Sequence, residues 1–249
     1  SDLQRGEAMR LLARQGIETR DENDLKDRLF RFINYSAGFA LPNRKAAYEL
    51  THIIFYLSEY GRKRLVLSDQ AIESLMFTGI IAHLEQNADL LAEICIALRY
   101  VGQTPPNAWE SWMKSVTLAF DVREFDAGYA DQYHEFLVCN WACELMQEGS
   151  FTQSFSSNGS SFSSPVSQLG TLGYISETLL DWQGSRSRTW DAMERRIYAA
   201  LPDPVAQHLS EVVSATEHFA SFWEYFSRAE AIHAPSNTLL TPSMLEIAR

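Results

Sequence analysis

Apolar residues recur along most of this chain at intervals of three and four positions, and few segments alternate strictly between apolar and polar residues. The first pattern is typical of amphipathic helices, whereas strict alternation indicates half-buried strands. The sequence therefore predicts an all-α protein. The predicted helices are residues 3–15, 23–36, 43–60, 69–86, 88–101, 106–121, 131–147, 172–182, 187–200 and 204–232.

These helices are expected to form a single domain over residues 1–249, with antiparallel neighbours because the connections are short. Such hairpins either pack as an irregular multi-helix bundle or curve into an α/α toroid with a central cavity. We favour the toroid-like version slightly, because several helices are apolar nearly all round and need a second helical layer to cover them.

A Ser- and Phe-rich segment at about 150–167 separates a larger N-terminal helical part from a smaller C-terminal one. Its composition is typical of a flexible loop. Three phenylalanines, Phe151, Phe155 and Phe162, give the loop apolar side chains to bury. Two interpretations stay open, a surface linker and a lid over a pocket.

Several helix ends carry recognisable signals. Ser68 and Asn87 precede apolar runs and are expected N-caps, and Asp131 has the same place before the helix at 131–147. Gly61 and Gly102 follow apolar runs and are expected to end the helices before them.

The balance of charge bears on partners. Thirty-two acidic residues against 21 lysines and arginines give a net charge of -11 and a pI near 5.0. The average field of such a chain repels phosphate backbones. We therefore expect no nucleic-acid partner.

Localisation is predicted from apolar runs and cysteines. No apolar run approaches the roughly 20 residues needed to cross a bilayer, and no leader pattern opens the chain, so we expect a soluble protein with no membrane partner. The three cysteines Cys95, Cys139 and Cys143 are an odd number in apolar helical contexts. They are expected to be buried and reduced, which favours a cytoplasmic location.

The helix at 43–60 carries a polar stripe on an otherwise apolar element. At ~100° per residue, Glu49, His52, Tyr56 and Glu59 fall within roughly 80° of one another. Glu49 and His52 also have the E-x-x-H spacing with which di-iron and di-manganese bundles bind metal. A site of that type needs a second such pair, and the sequence has no clean copy.

His134 lies on the helix at 131–147, on the side of its apolar stripe, and is therefore expected to be buried. For His134 and His52 three roles stay open: a hydrogen-bonded structural histidine, a general acid or base, and a metal ligand. The remaining histidines carry weaker signals. We expect His83 to interact with a helix C-terminus, and His208, His218 and His233 to be solvated or helix-end residues.

Nucleophile and phosphate-loop motifs are absent from the sequence, which lacks G-x-S-x-G, G-x-x-x-x-G-K-[ST], G-x-G-x-x-G after a strand and H-E-x-x-H. Several common enzyme classes are thereby disfavoured. The sequence motifs therefore do not indicate a particular reaction.

Two segments carry a family resemblance: YELTHIIFYLSEYG at residues 48–61 and DQYHEFLV at residues 131–138. They resemble an uncharacterised family of bacterial all-helical proteins, a domain of unknown function. The resemblance implies a bacterial source and a shared site formed by Glu49, Thr51, His52, Tyr133 and His134. Glu59-Tyr60 departs from the Asp-Phe pair expected there, and the family implies no activity.

Two functions remain open. The first is an enzyme that holds a small or peptide-like substrate in an inter-helix cavity, and the second is a non-catalytic helical protein that binds a partner chain. The enzyme hypothesis assigns acid–base roles to His52, His134 and Glu49. The same three residues would ligate a divalent transition metal if one binds. Substrate-binding roles fall to Tyr56, Glu59, Tyr133 and Trp141.

Overall fold

The computed structural model describes residues 1–17, 22–124, 131–146, 159–164, 169–184 and 186–230. In these ranges the secondary structure is helical except for one pair of short strands, so the predicted all-α fold is confirmed. No helix in these ranges is both long and apolar enough to cross a membrane. The helices are α1 (Asp2–Arg14), α2 (Glu22–Ile33), α3 (Ser36–Phe39), α4 (Arg44–Leu57), α5 (Asp69–Leu84), α6 (Ala88–Tyr100), α7 (Asn107–Ala119), α8 (Tyr133–Leu145), α9 (Thr171–Leu180), α10 (Trp190–Ala200), α11 (Asp203–Ala215) and α12 (Phe219–Glu230).

Four helices form a row in which α1 packs on α4, α4 on α6, and α6 on α8. Side-chain contacts give the direction of the row. Tyr48 and His52 of α4 reach Asp89 and Glu93 of α6 in the same order along both helices. The two helices therefore run parallel, with α5 as the antiparallel return between them.

Helix α5 is the centre of the fold and is buried nearly all round from Ser74 to Leu84. It contacts α3 and α6 as well as α11 and α12, so the helices before and after the Ser- and Phe-rich segment share one buried core. An all-apolar helix needs cover on every face. This arrangement supplies the second helical layer that the sequence predicts, while toroidal closure stays a prediction.

Some helical predictions are wrong in their extent. The helix predicted at 204–232 is two helices, because the backbone at Thr216 is extended with φ -153° and ψ 141°. The Thr216 hydroxyl accepts a hydrogen bond from the backbone N–H of His218 at 3.2 Å, within the turn that precedes α12. Periodicity alone did not reveal this break. The helix predicted at 23–36 also ends early, at Ile33, before the short α3.

The strand pair consists of β1 (Asp121–Glu124) and β2 (Ser160–Ser163), which are antiparallel. Strand β2 lies inside the segment predicted as a flexible loop, and Phe162 stacks on Phe136 of α8 with ring centroids 4.4 Å apart. This part of the segment is therefore ordered by burial of an aromatic ring. Phe151 and Phe155 lie outside the described residues. The choice between a lid and a linker therefore stays open.

Some of the predicted helix-end residues are confirmed by the structure and others are not. Ser68 and Asn87 accept the backbone N–H of Ala71 and Leu90 at 3.2 and 3.1 Å, so both predicted N-caps are confirmed. Asp131 is not a cap, because α8 starts after Gln132 and the Asp131 carboxylate instead accepts the Phe162 backbone N–H at 2.8 Å.

Gly61 and Gly102 are both left-handed, with φ 78° and 76°. Gly102 follows the end of α6 directly, as predicted, whereas α4 already ends at Leu57 and Gly61 comes later in the turn. At Gly61 a Cβ atom would lie 2.5 Å from the Tyr100 ring, so only glycine allows this approach of the chain to α6.

Candidate functional site

Two carboxylates stand one turn apart on α6, Asp89 and Glu93. Helix α6 begins at its Asn87 cap, and its other side chains from Ala88 to Leu98 are buried and apolar. The acids face the neighbouring helices α4 and α8, where each one contacts a histidine. We call this surface the α6 groove, formed by Tyr48, Thr51 and His52 of α4, Asp89 and Glu93 of α6, and His134 of α8.

Asp89 joins all three helices. Its Oδ2 accepts the Tyr48 hydroxyl at 2.6 Å, and its Oδ1 lies 2.6 Å from Nδ1 of His134. An ionised carboxylate only accepts hydrogen bonds, so Nδ1 of His134 carries a hydrogen, and in the neutral form of the ring Nε2 is the acceptor. Asp89 also sits in the first turn of α6, where the helix dipole favours a negative charge.

The His134 side chain is 59 % exposed, so the predicted burial of this residue is wrong. The physical reason is its position in the first turn of α8, which starts at Tyr133. The apolar stripe of the helix is buried only from Phe136 onward. His134 therefore presents its ring at the edge of the groove rather than in the core.

Glu93 is the deeper carboxylate, with a side chain 3 % exposed. The Thr51 hydroxyl donates to its Oε2 at 2.5 Å, and Nε2 of His52 lies 3.7 Å from its Oε1. The interaction with Glu93 raises the pKa of His52 above its ordinary value, and partial burial of the ring opposes this without cancelling it. The His52 side chain is 37 % exposed, so a partly exposed imidazole here pairs with a buried carboxylate.

Aromatic rings close one end of the groove. Tyr56 stacks on His52 with centroids 6.0 Å apart and an interplanar angle of 17°. Trp141 of α8 lies 5.6 Å from Phe55 and 6.1 Å from Tyr60, so α4 and α8 meet above α6 at this level. The predicted substrate-binding residue Tyr56 therefore contacts His52 directly, whereas Trp141 is linked to His52 only through Phe55. Tyr133 is exposed beside His134 on α8.

The structure places both predicted histidines against α6, each on one of two carboxylates one turn apart. Glu49 is half-buried, and among the described residues no hydrogen bond or ion pair joins it to either histidine. Glu59 is not on the predicted helical stripe, because α4 ends at Leu57 and Glu59 follows in a left-handed conformation with φ 50°. It contacts Arg10 and Lys63 instead.

Asp89, Glu93 and Tyr48 were missed by the sequence analysis. A signal was present, because two acids four residues apart open a helix that is otherwise nearly all apolar. Charged residues in such positions are rarely buried unless they have partners. The identity of those partners depends on which helices pack beside α6. The sequence pattern does not predict that packing.

No group of three or more His, Cys, Asp or Glu side chains in the described part of the chain has a geometry that holds a metal ion. The larger cavities lie elsewhere, one of about 540 Å³ beside Trp182 and one of about 460 Å³ beside Tyr100. Neither is lined by His52 or His134. The side chains of His52 and His134 are instead 37 % and 59 % exposed at the surface.

A second histidine pair lies in the core, where His83 of α5 and His208 of α11 are both buried with ring centroids 5.6 Å apart. Nδ1 of His208 lies 2.7 Å from the Thr171 hydroxyl. Burial lowers the pKa of His83 to about 4, with His208 adding to the effect, and burial also lowers the pKa of His208. His83 lies in the last turn of α5, where a helix-end residue was expected, but it is buried there. The expectation of a solvated His208 is wrong, and His233 lies outside the described residues.

The three cysteines are free and buried, as expected. Burial raises the pKa of the Cys139 and Cys95 thiols. A thiol with a raised pKa is a weak nucleophile. These residues therefore serve as small core side chains.

Comparison with known proteins gives a family but no activity. No curated protein and no solved structure matches the chain significantly. One family model, described as a domain of unknown function (DUF6902), matches residues 1–229 and so covers both histidine pairs. The chain belongs to the DUF6902 family.

Proposed function

We propose that this protein is an enzyme that transfers protons on a small uncharged or cationic substrate, with His134 and His52 as its acid–base groups. One observation carries the proposal: Asp89 holds Nδ1 of His134 and is itself held by Tyr48, while the His134 side chain is exposed at the surface. A carboxylate that orients an exposed imidazole is the arrangement general-base catalysis requires.

In this reaction His134 takes a proton at Nε2 from the substrate or from a water molecule. The Asp89 charge stabilises the imidazolium that forms, and the short hydrogen bond from Tyr48 keeps the carboxylate in place. The first turn of α6 adds a favourable dipole at Asp89. Residues from three helices thus fix the orientation of one ring.

His52 suits the complementary role of general acid. Its raised pKa keeps a larger fraction of the ring protonated near neutral pH than an isolated histidine would have. Two titratable groups in different environments allow one site to supply both an acid and a base. Glu93, buried and bonded to Thr51, is the positioning residue for His52.

The substrate class follows from the charges of the groove. Glu7 of α1 acts electrostatically on His52, as do Glu93 and Asp89. Negative charge in and around the groove, on a chain of net charge -11, disfavours phosphorylated substrates. Tyr56 and Trp141 offer ring faces against which an uncharged or cationic group can stack.

Three buried free thiols are consistent with a reducing, cytoplasmic setting.

The proposal is tested with p-nitrophenyl acetate, a small neutral ester whose hydrolysis is promoted by a general base. We expect His134→Gln to lower the rate above buffer by about 100-fold or more, and Asp89→Asn to lower it at least about tenfold. His218→Gln is the matched control, because His218 is partly exposed and bonds only locally to Thr216. Equal rates in all four proteins contradict the proposal.

The second candidate is a non-catalytic binding protein, and the aromatic end of the groove favours it. Tyr56, Tyr60 and Trp141 are only partly buried although they lie together. Tyrosine and tryptophan are enriched where proteins bind each other. Under this function Trp141→Ala abolishes capture of a partner while His134→Gln leaves it intact.

A further inference from the structure

A small cavity lies on the other side of Tyr56, between α1, α2 and α4. Its volume is about 140 Å³. Apolar side chains that include Met9, Leu29 and Ile53 form much of its wall. The charged groups at this cavity are Arg10, Lys26, Lys63 and Glu59. Three cations thus share an apolar cavity with one carboxylate, on a protein whose overall charge is strongly negative.

Arg10 is the central cation, with a side chain only 10 % exposed. Its guanidinium carbon lies 5.5 Å from the Tyr56 ring centroid and 5.1 Å from that of Tyr60. Its Nε atom is buried and has no hydrogen-bond partner among the described residues. Aromatic contact satisfies the faces of a guanidinium but not its in-plane N–H donors. Burying such a donor without an acceptor is unfavourable.

Glu59 does not satisfy this arginine. Its carboxylate lies 3.6 Å from Nη1 of Arg10, which is beyond a good hydrogen bond, and 3.8 Å from Nζ of Lys63. One negative charge is therefore shared between two cations at ion-pair distance. The in-plane donors of Arg10 retain capacity for a second, closer anionic acceptor.

The turn after α4 fixes this geometry. Glu59 and Tyr60 are both left-handed, with φ 50° and 56°, and Gly61 follows with φ 78°. Left-handed conformations of side chains other than glycine are unfavourable and persist where the surrounding structure enforces them. Here the strained turn brings the Glu59 carboxylate and the Tyr60 ring to Arg10.

We propose that the Arg10 cavity binds a short aliphatic carboxylate. The carboxylate pairs with the in-plane donors of Arg10, a geometry in which a guanidinium matches two oxygens at once. The hydrocarbon tail lies against the wall formed by Met9, Leu29 and Ile53. At roughly 30 Å³ for a water molecule, 140 Å³ admits a ligand of about four to six heavy atoms.

Butyrate has this size and charge, and it is the probe for the test. A titration followed by amide NMR at constant ionic strength gives the affinity and the residues that shift. We expect saturable shifts at the ends of α1 and α4 around Arg10 and Glu59. Butyramide, the uncharged isostere, and inorganic phosphate, an anion without a hydrocarbon tail, are expected to bind at least about tenfold more weakly.

Arg10→Gln is expected to weaken butyrate binding by about tenfold to a hundredfold, the range for loss of a charge-assisted hydrogen bond. Arg5→Gln is the matched control on the same helix, because Arg5 is exposed and forms only a 3.8 Å ion pair with Asp2. If Arg10→Gln does not fold, Lys63→Gln carries the test, since Lys63 is exposed and its loss is expected to weaken binding two- to threefold.

Three results overturn the proposal: no saturable shift with butyrate, equal shifts with phosphate, or unchanged affinity in Arg10→Gln. These outcomes leave the His134 proposal untouched, because that one is measured by ester hydrolysis at a different group of residues.

Discussion

Two pairs of histidines in this protein have opposite environments. His52 and His134 lie in the α6 groove, each beside a carboxylate and each partly open to solvent. His83 and His208 lie in the core between α5 and α11, with a Thr171 hydroxyl as polar neighbour and no carboxylate bonded to either ring in the described residues. The same type of side chain thus lies beside a carboxylate in one region and in the buried core in the other.

The difference shows that neighbours decide what an imidazole does. A carboxylate partner stabilises the protonated ring, so the pKa of His52 is raised. Burial without such a partner removes the solvation that a charged ring needs, so the pKa of His83 falls to about 4. His52, with its raised pKa and a partly exposed side chain, can carry a proton without a charge being placed in the core. For this reason we assign proton transfer to the groove.

The largest expected effect concerns the buried pair under acid. His83 has a folded pKa of about 4 against about 6.5 in an unfolded chain, so the unfolded state binds the proton first as pH falls. Its contribution to stability is complete above pH 6.5 and is lost as pH falls to about 4. The loss amounts to about 3 kcal/mol, and urea unfolding at pH 7 and pH 4.5 measures most of it.

Carboxylates also titrate in this range, so the comparison is made between variants. We expect His83→Leu to lose much less stability between the two pH values than the wild type, whereas His218→Gln loses as much as the wild type. If His83→Leu and the wild type show the same dependence, His83 is not the buried neutral group described here.

The same substitution in both regions compares their hydrogen bonds directly. Thr51 and Thr171 are both fully buried, and their hydroxyls contact Glu93 and His208. Thr51→Val leaves a buried carboxylate without its donor and is expected to cost about 2 kcal/mol of unfolding free energy. Thr171→Val breaks a bond between neutral groups and is expected to cost about 1 kcal/mol. Urea denaturation at pH 7 measures both, and a reversed order contradicts the charge assignment.

The smallest expected effect is the pH dependence of the groove, and it has the opposite sign. The raised pKa of His52 means that the folded state holds the proton more tightly than the unfolded state. This contribution is present below about pH 6.5 and is lost as pH rises through the raised pKa. Because His52 is partly exposed, solvent screening limits it to a fraction of a kcal/mol.

Glu93→Gln removes the charge beside His52 and is expected to flatten the stability curve between pH 6 and pH 8. Chemical denaturation across that range, with the two proteins in parallel, is the measurement. A curve that stays unchanged in Glu93→Gln rules out the His52–Glu93 interaction as its source.

The sequence predicted the helices well where local signals determine them. The runs at 69–86 and 88–101 match α5 and α6 within two residues, because each begins at a capping side chain, Ser68 or Asn87. The break at Thr216 was missed because the apolar period continues across it. The strand β2 was missed because its pairing partner β1 is distant along the chain.

The candidate site was only half predicted, for a similar reason. His52 and His134 were identified from the polar stripe and the imidazole on α8, but their carboxylates belong to a third helix. Glu49 was preferred as the partner of His52 because it lies on the same helix, whereas packing supplied Glu93. The burial of His208 was equally invisible, since it depends on where α11 lies against α5.

An NMR titration of the histidine side chains between pH 4 and pH 9 tests the division between the two pairs most directly. We predict that His52 titrates above pH 6.5 and moves down towards that value in Glu93→Gln, while His83 stays neutral until about pH 4 and His208 titrates below 6.5. A His83 that titrates near pH 6.5, or a His52 that titrates at or below it, contradicts this division.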